Sequence, residues 1–183
     1  QHNDRVLQSD IAINAANNEI SGTVHTQGWV TRQYSFVLRF NQPFTALPLP
    51  ARAGEKAPRY VLNFKPGADQ MLEARIAFST VDVAGARRNL AVVDGKSFAQ
   101  VQAEAEAQWQ NVLVRARIEA PDRQKRIFYT ALYHAFIHPS DIADSDGRVR
   151  GPDGKVLQAP GGVYYSTLSL WDTFRGVHPL FTL

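Results

Sequence analysis

The side-chain period of this chain changes near Asp82, and that change restricts the fold more than any other feature. Before it, apolar residues alternate with polar ones. In the segment Gln33 to Phe40, residues Tyr34, Phe36, Leu38 and Phe40 alternate with more polar neighbours, the two-residue period of a half-buried strand. Asp10 to Asn14, Glu19 to His25, Arg59 to Phe64 and Met71 to Thr80 read the same way, with Asn17-Asn18 placed for a turn between the first pair. Pro43, Pro48, Pro50, Gly54 and Pro58 break the intervening chain into loops. Such punctuation argues for an antiparallel sandwich.

After Asp82 the spacing becomes helical. Ser97 is an N-cap candidate, and Phe98, Val101, Ala105, Trp109, Val112 and Leu113 recur at three- and four-residue steps, which predicts a surface helix with one docked face. Pro121-Asp122 announces a second helix, with Asp122 as its cap. Ile127, Phe128, Leu132, Tyr133, Phe136 and Ile137 cover nearly all its sides, so it is expected to be buried, and Pro139 ends it. Two Asp-Gly signals, at Asp146-Gly147 and Asp153-Gly154, frame a hairpin excursion, and a further helix begins near Leu170.

Composition excludes several functions. The 20 Lys and Arg are spread among 17 Asp and Glu, not gathered into the basic stripe that a nucleic-acid site needs. No apolar run approaches the roughly 20 residues of a membrane span. Without cysteine there is neither a disulfide nor a thiolate metal site. Gly161-Gly162 precedes no phosphate-binding pattern. The chain opens on Gln1, not Met, which is compatible with an export sequence removed earlier. Val177, Leu180, Phe181 and Leu183 make an apolar end that suggests a piece of a longer protein.

The most informative motif is Trp171-Asp172-Thr173-Phe174-Arg175. An indole, a carboxylate and a guanidinium within five positions make a poor core, because buried unpaired charge is costly. They suit a sugar site: the Trp face packs on the C–H face of a pyranose while the acid and base meet its hydroxyls. A purely structural role would instead put Trp171 in the core, with Asp172 capping the helix or pairing with Arg175. His134 and His138, with Asp141 and Asp144 following, have the spacing of a conceivable zinc site but lack the Glu of a His-Glu-x-x-His motif. Asp144-x-Asp146-Gly147 resembles part of a calcium loop, yet Ile142 would hold the first ligand position, and a turn accounts for it better.

Four pieces in order carry a resemblance. They are Arg126 to His134 (RIFYTALYH), Ile137-His138-Pro139, Asp144 to Gly151 (DSDGRVRG), and Tyr165 to Arg175 (YSTLSLWDTFR) followed by His178-Pro179-Leu180. Together they resemble family 92 glycoside hydrolases, bacterial exo-acting alpha-mannosidases. The resemblance implies an α+β chain: an antiparallel β-sandwich over residues 1–95, a linker helix over 96–120, and the first helices of an (α/α)6 toroid over 121–183. It implies inverting hydrolysis of terminal alpha-linked mannose on N-glycan or mannan-type glycans, with carboxyl groups roughly 6.5–9.5 Å apart. Calcium would assist, its ligands expected outside this chain, as are the acid and base, beyond Leu183. Trp171 and Asp172 would line the terminal-mannose pocket, and Arg175 would orient Asp172 or the sugar. His134, His138 and His178 match the pattern but have no assigned role. The partners implied are the glycan and the remainder of the polypeptide, in the periplasm or outside the cell. A non-catalytic carbohydrate-binding sandwich is the competing reading, favoured if mannose binding survives truncation before Ser97.

Overall fold

The structure, a computed structural model, describes residues 5–28, 30–52, 54, 57–65 and 71–182. Leu183, part of the expected apolar end, lies outside the described residues. Two compact units are formed: residues 1–92 with 142–164, and residues 93–141 with 165–183.

In the first unit, β1 (Arg5–Asn14), β2 (Glu19–Gln27) and β3 (Thr31–Phe40) make an antiparallel meander, and β6 (Ala74–Ser79) joins β3 to give the order β1-β2-β3-β6. The first turn forms where the paired asparagines sit. Asn14 accepts a hydrogen bond from the Asn17 N–H at 3.3 Å, and Asn18 takes the left-handed conformation that asparagine tolerates. A separate antiparallel pair, β4 (Phe44–Pro48) with β5 (Tyr60–Phe64), is tied to the end of β3 by the rings of Phe40, Phe44 and Phe64, whose centroids lie 4.9 to 5.8 Å apart. Strand β4 was not expected from the sequence, where Pro43 and Pro48 suggested only loop.

The two faces of the main sheet are used differently from what alternation suggests. Helix α1 (Val83–Ala91), hidden in the sequence because it is short, packs on β3 and β6. Its N-terminus is fixed by Asp82, whose Oδ1 accepts from the Gly85 N–H at 2.6 Å. Under it lie the small residues of β3: Val37 is fully buried and Ser35 nearly so, as are Ala86 and Leu90 on the facing side of α1. The aromatic ladder faces the other way. Phe36 pairs in register with Phe78 and Leu38 with Ile76, yet Phe78 is 58% exposed, because among the described residues no element covers that part of the face.

A buried acid lies at the edge of the α1 layer. Glu19 receives Arg39 at 3.1 Å and Arg87 of α1 at 2.7 Å. Burial raises the Glu19 carboxyl pKa, but hydrogen bonds and charge from Arg87, then Arg39, together outweigh it and hold the carboxyl below its ordinary value.

Strands β7 (Arg148–Arg150) and β8 (Val156–Gln158) form the expected hairpin, with Gly147 and Gly154 at positive φ in its turns. It does not stand free as an excursion but folds against α1 and β6. Asp144, 3% exposed, accepts from Ser79 Oγ at 2.7 Å and from Asn89 Nδ2 at 2.9 Å, while the Ser145 N–H donates to Asn89 Oδ1 at 2.7 Å. Arg150 donates to the carbonyls of Thr80, Val81 and Gly154 at 2.8 to 2.9 Å. Arg148 reaches Asp82 and Asp146, and Arg88 also reaches Asp146. Gly85 makes room for this cluster: a Cβ there would collide with Asp144 Oδ2 and lie 2.6 Å from Ser79 Oγ.

In the second unit, α2 (Phe98–Leu113) starts with a reciprocal cap, Ser97 Oγ accepting from the Gln100 N–H at 3.2 Å and Gln100 Oε1 from the Ser97 N–H at 2.7 Å. Its docked stripe is thinner than expected: none of its residues is fully buried, although Trp109 packs against Tyr133 at 4.5 Å. Helix α3 (Asp122–Phe136) was expected to be enclosed. Only its Leu132 is buried, while Ile127 is exposed. Among the described residues, Trp109 and Phe181 reach it from outside the helix, the latter stacked on Phe136 at 6.3 Å. Asp122 is the first helical residue, not the cap; Pro121 takes that place and its carbonyl accepts from the Gln124 and Lys125 N–H groups.

Two outcomes are expected. Gly85→Ala should lower the stability of the chain by about 2 kcal/mol or more, since Asp144 or Ser79 must move and a buried carboxylate loses a donor. Urea denaturation reads this, and a change below about 0.5 kcal/mol would contradict the packing. For Glu19, a depressed carboxyl pKa contributes stability that is present above the unfolded value near 4.5 and is lost as pH falls through the lower folded value. Stability should therefore decline on acidification below about pH 4.5, and Glu19→Gln should reduce that decline while lowering stability at pH 7 by about 1–3 kcal/mol.

Candidate functional site

The Trp-Asp-Thr-Phe-Arg run starts on one short helical turn of the second unit, α4 (Leu170–Thr173), and ends in the turn before a second, α5 (Val177–Leu180). The chain reaches them through a small antiparallel ladder. Tyr165 pairs with Asp141, the Ser166 N–H donates to the Ser140 carbonyl at 2.8 Å, and the Ser140 N–H donates to Ser166 Oγ at 3.0 Å. Ser169 begins α4: its carbonyl accepts from the Asp172 and Thr173 N–H groups at 3.1 and 3.2 Å and from Thr173 Oγ1 at 2.9 Å. Beyond it, Phe181 stacks on Phe136, which anchors α5 to α3.

On this frame the key side chains project outward. Trp171 is 85% exposed, and Asp172 and Arg175 are also exposed. Neither structural role considered for the run is taken up among the described residues: Trp171 is not core, and no side chain caps α4. Asp172 makes no ion pair there with Arg175, whose guanidinium carbon lies 5.3 Å from the centroid of the Phe174 ring. An open indole beside an unengaged carboxylate and an exposed guanidinium offers a flat apolar face, an acceptor and several donors, groups of the kind that a hexose can meet.

The metal candidates are not brought together. Among the described residues no group of three His, Cys, Asp or Glu is placed to hold an ion. His138 Nδ1 is 3.5 Å from Ser140 Oγ, His134 lies against the Tyr133 ring, and His178 Nδ1 is buried without a hydrogen-bond partner. In the Asp144–Gly147 turn, Asp144 is engaged by Ser79 and Asn89, and Asp146 by Arg88 and Arg148. Those carboxylates hold the hairpin. A groove of about 500 Å³, not anticipated from the sequence, lies where α2 gives way to α3, lined by Val114, Arg117, Ile118, Glu119, Lys125 and Tyr129. Its only sequence signal is the density of cations from Arg115 to Arg126, and none of its lining residues belongs to the Trp-Asp run.

Antiparallel sheets leading into helices make this an α+β chain, with Trp171, Asp172 and Arg175 exposed near its last helices. The glycosyl hydrolase family 92 catalytic domain matches residues 85–183, more than half of the chain and the whole of the run. The chain belongs to glycoside hydrolase family 92. It is similar to the family GH92 alpha-mannosidase BT3965 from Bacteroides thetaiotaomicron, at 30% identity and a TM-score of 0.85, over 98% of this chain and 26% of that one. That enzyme is also known in complex with mannoimidazole. The family GH92 inverting mannosidase BT2199 from the same organism aligns at 27% identity and a TM-score of 0.81, over 96% of this chain and 26% of that one. No curated protein matches the chain significantly. The chain thus spans about a quarter of the length of the solved structures it resembles.

Since Trp171 is 85% exposed among the described residues, Trp171→Ala in this chain should change stability by less than about 0.5 kcal/mol in a denaturant titration. A loss of several kcal/mol would mean that the indole is a core residue.

Proposed function

We propose that this chain is part of an exo-acting alpha-mannosidase, in which Trp171 lines and Asp172 hydrogen-bonds the terminal mannose, with Arg175 at the same site. The observation that carries this reading is the exposed, unpaired Trp171–Asp172 pair inside the stretch that matches the family's catalytic domain. The match begins at Gly85 and so includes most of α1, the hairpin and the later helices but none of the main sheet, which supports a hydrolase over a sandwich that binds sugar by itself. A mannosidase of similar fold that takes mannoimidazole supports a mannose-shaped site.

The substrate would be a terminal alpha-linked mannose of an N-glycan or mannan-type glycan, and hydrolysis would invert the anomeric centre. One carboxylic acid would protonate the leaving oxygen while a carboxylate across the ring activates water. Neither is assigned to this chain; both belong to the remainder of the parent enzyme. What this chain's residues contribute is binding: the indole excludes water from one face of the sugar, and the Asp172 oxygens accept from its hydroxyls, interactions that gain value as the ring distorts. Calcium, which supplies charge to grip and distort the mannose when bound, would be held elsewhere, since the carboxylates of the Asp144–Gly147 turn are already engaged. Residues 121–183 would open the (α/α)6 toroid, and the enzyme would work in the periplasm or outside the cell.

In the full-length parent enzyme, Asp172→Ala should reduce hydrolysis of an alpha-linked mannobiose by about two orders of magnitude or more without lowering the melting temperature. Wild-type kinetics for that variant would remove Asp172 from the site. Proton NMR of the first-formed product should show beta-mannose, and a chelator should abolish turnover until calcium is restored.

A further inference from the structure

The connection between α2 and α3 carries the net charge of the chain. From Arg115 to Arg126 there are five cations, Arg115, Arg117, Arg123, Lys125 and Arg126, against two acids, Glu119 and Asp122. That excess equals the formal charge of the whole chain, +3, so in the rest of the sequence the two signs balance. Cations elsewhere are engaged: Arg39 and Arg87 meet Glu19, Arg88 and Arg148 meet Asp146, and Lys96 meets Glu104. Among the described residues none of the five in the connection forms an ion pair or a side-chain hydrogen bond, and neither does Glu119. Beside them lies the groove of about 500 Å³, which combines two kinds of surface. Half-buried Val114, Ile118 and Tyr129 give it an apolar lining, and the Tyr129 hydroxyl, donating to the Ala116 carbonyl at 3.2 Å, holds that ring against the connection. Exposed Arg117, Lys125 and Glu119 give it charge.

The lining selects its occupant. A lone small anion would meet only solvated cations that salt screens, and would leave the apolar surface and most of the volume unfilled. A polyanion such as a nucleic acid would bring like charge onto Glu119. An acidic peptide segment satisfies every wall: its carboxylates meet Arg117 and Lys125, an apolar side chain lies on Val114, Ile118 and Tyr129, and a neutral or basic residue passes Glu119. Seating it removes water from the pairs and so strengthens them. The groove lies within residues 85–183, which match a catalytic domain, and the chain spans about a quarter of the mannosidases it resembles. A segment tethered in the same polypeptide reaches such a groove at a higher effective concentration than any free partner. We propose that the groove seats an acidic segment from the remainder of the parent polypeptide, with Arg117 and Lys125 as its charge partners. The inference rests on the reading of this chain as part of a larger enzyme, but uses none of the residues of the mannose site.

The test is tryptic cleavage of this chain and of the full-length parent enzyme, with the cut sites read by mass spectrometry. Trypsin cuts after arginine and lysine, and residues 114–121 form neither helix nor strand, so this chain should be cut readily after Arg115. In the parent that cut should be at least about tenfold slower. Protection should shrink at about 1 M salt, and in the parent carrying Arg117→Gln with Lys125→Gln cleavage after Arg115 should approach the rate seen in this chain. The same pair of changes in this chain should leave its cleavage rate within about twofold, which separates loss of cover from an altered fold. Carbodiimide, which joins an amine to a carboxylate in contact with it, should couple Lys125 to an aspartate or glutamate of the remainder, naming the segment. A parent cut as fast as this chain has an open groove, and the proposal is wrong. It is also wrong if protection withstands both salt and the double change, since the cover is then not acidic, or if Lys125 couples only to a second molecule. Activity reads separately: protection without mannosidase turnover keeps this inference and removes the mannose assignment, while turnover of an alpha-linked mannobiose with the connection unprotected does the reverse.

Discussion

A single buried carboxylate fastens the hairpin to the sheet. Asp144 is 65 residues from Ser79 and 55 from Asn89, and those two side chains supply its hydrogen bonds. Desolvating a carboxylate is expensive, so the cluster persists only if its acceptors stay filled and no water-sized gap opens. Gly85 meets the second condition by presenting no side chain where Asp144 and Ser79 meet, and Asp82 caps α1 so that Gly85 sits in that place. Ser79 is used three times: it donates to Asp144 and accepts from the N–H groups of Val81 and Asp82, so the end of β6, the start of α1 and the hairpin are set by one hydroxyl. Closing so long a loop costs chain entropy that a few well-satisfied contacts must offset, and Arg150 adds two backbone carbonyls, those of Thr80 and Val81, to the same seam.

The main sheet shows how a short helix alters the meaning of a strand pattern. A nine-residue amphipathic helix approaches a sheet closely where the residues beneath it are small, as Ser35 and Val37 are. The close approach brings Arg87 onto Glu19, and the pair with Arg39 compensates for a carboxylate that the helix would otherwise leave desolvated. Small residues on one face and rings on the other are therefore one solution. The face with the smaller side chains is the tightly packed one because it is the face on which α1 lies.

Strand pairing was legible in the residues because alternation is a local property: the Tyr34 to Phe40 ladder, the asparagine turn and both Asp-Gly turns fall where their chemistry requires. Which face of β3 would be buried was not legible, since that depends on α1, whose nine residues carry too few turns to show a helical period. The reading of α3 failed in the opposite sense. Apolar residues on all sides say that a helix can be enclosed, not that its neighbours lie within the same stretch of chain, and only Leu132 is buried. The Trp171 run was legible because its residue types conflict with an apolar setting.

Binding and chemistry are divided unevenly along a glycosidase of this kind. Inverting hydrolysis needs two carboxyl groups held roughly 6.5–9.5 Å apart across the sugar, and such a pair is assembled from distant segments because one helix cannot straddle a ring. A short run can instead supply the side chains that grip one sugar. Grip benefits from a rigid frame and exposed groups: the run follows a backbone ladder at Tyr165 and Ser166 and precedes the Phe136–Phe181 stack, while its indole, carboxylate and guanidinium stay out of the packing. Leaving the indole and the carboxylate exposed between two fixed stretches of backbone adds nothing to the stability of the second unit. It does reduce the ordering that a ligand would have to impose, which is the physical reason to read these residues as a site.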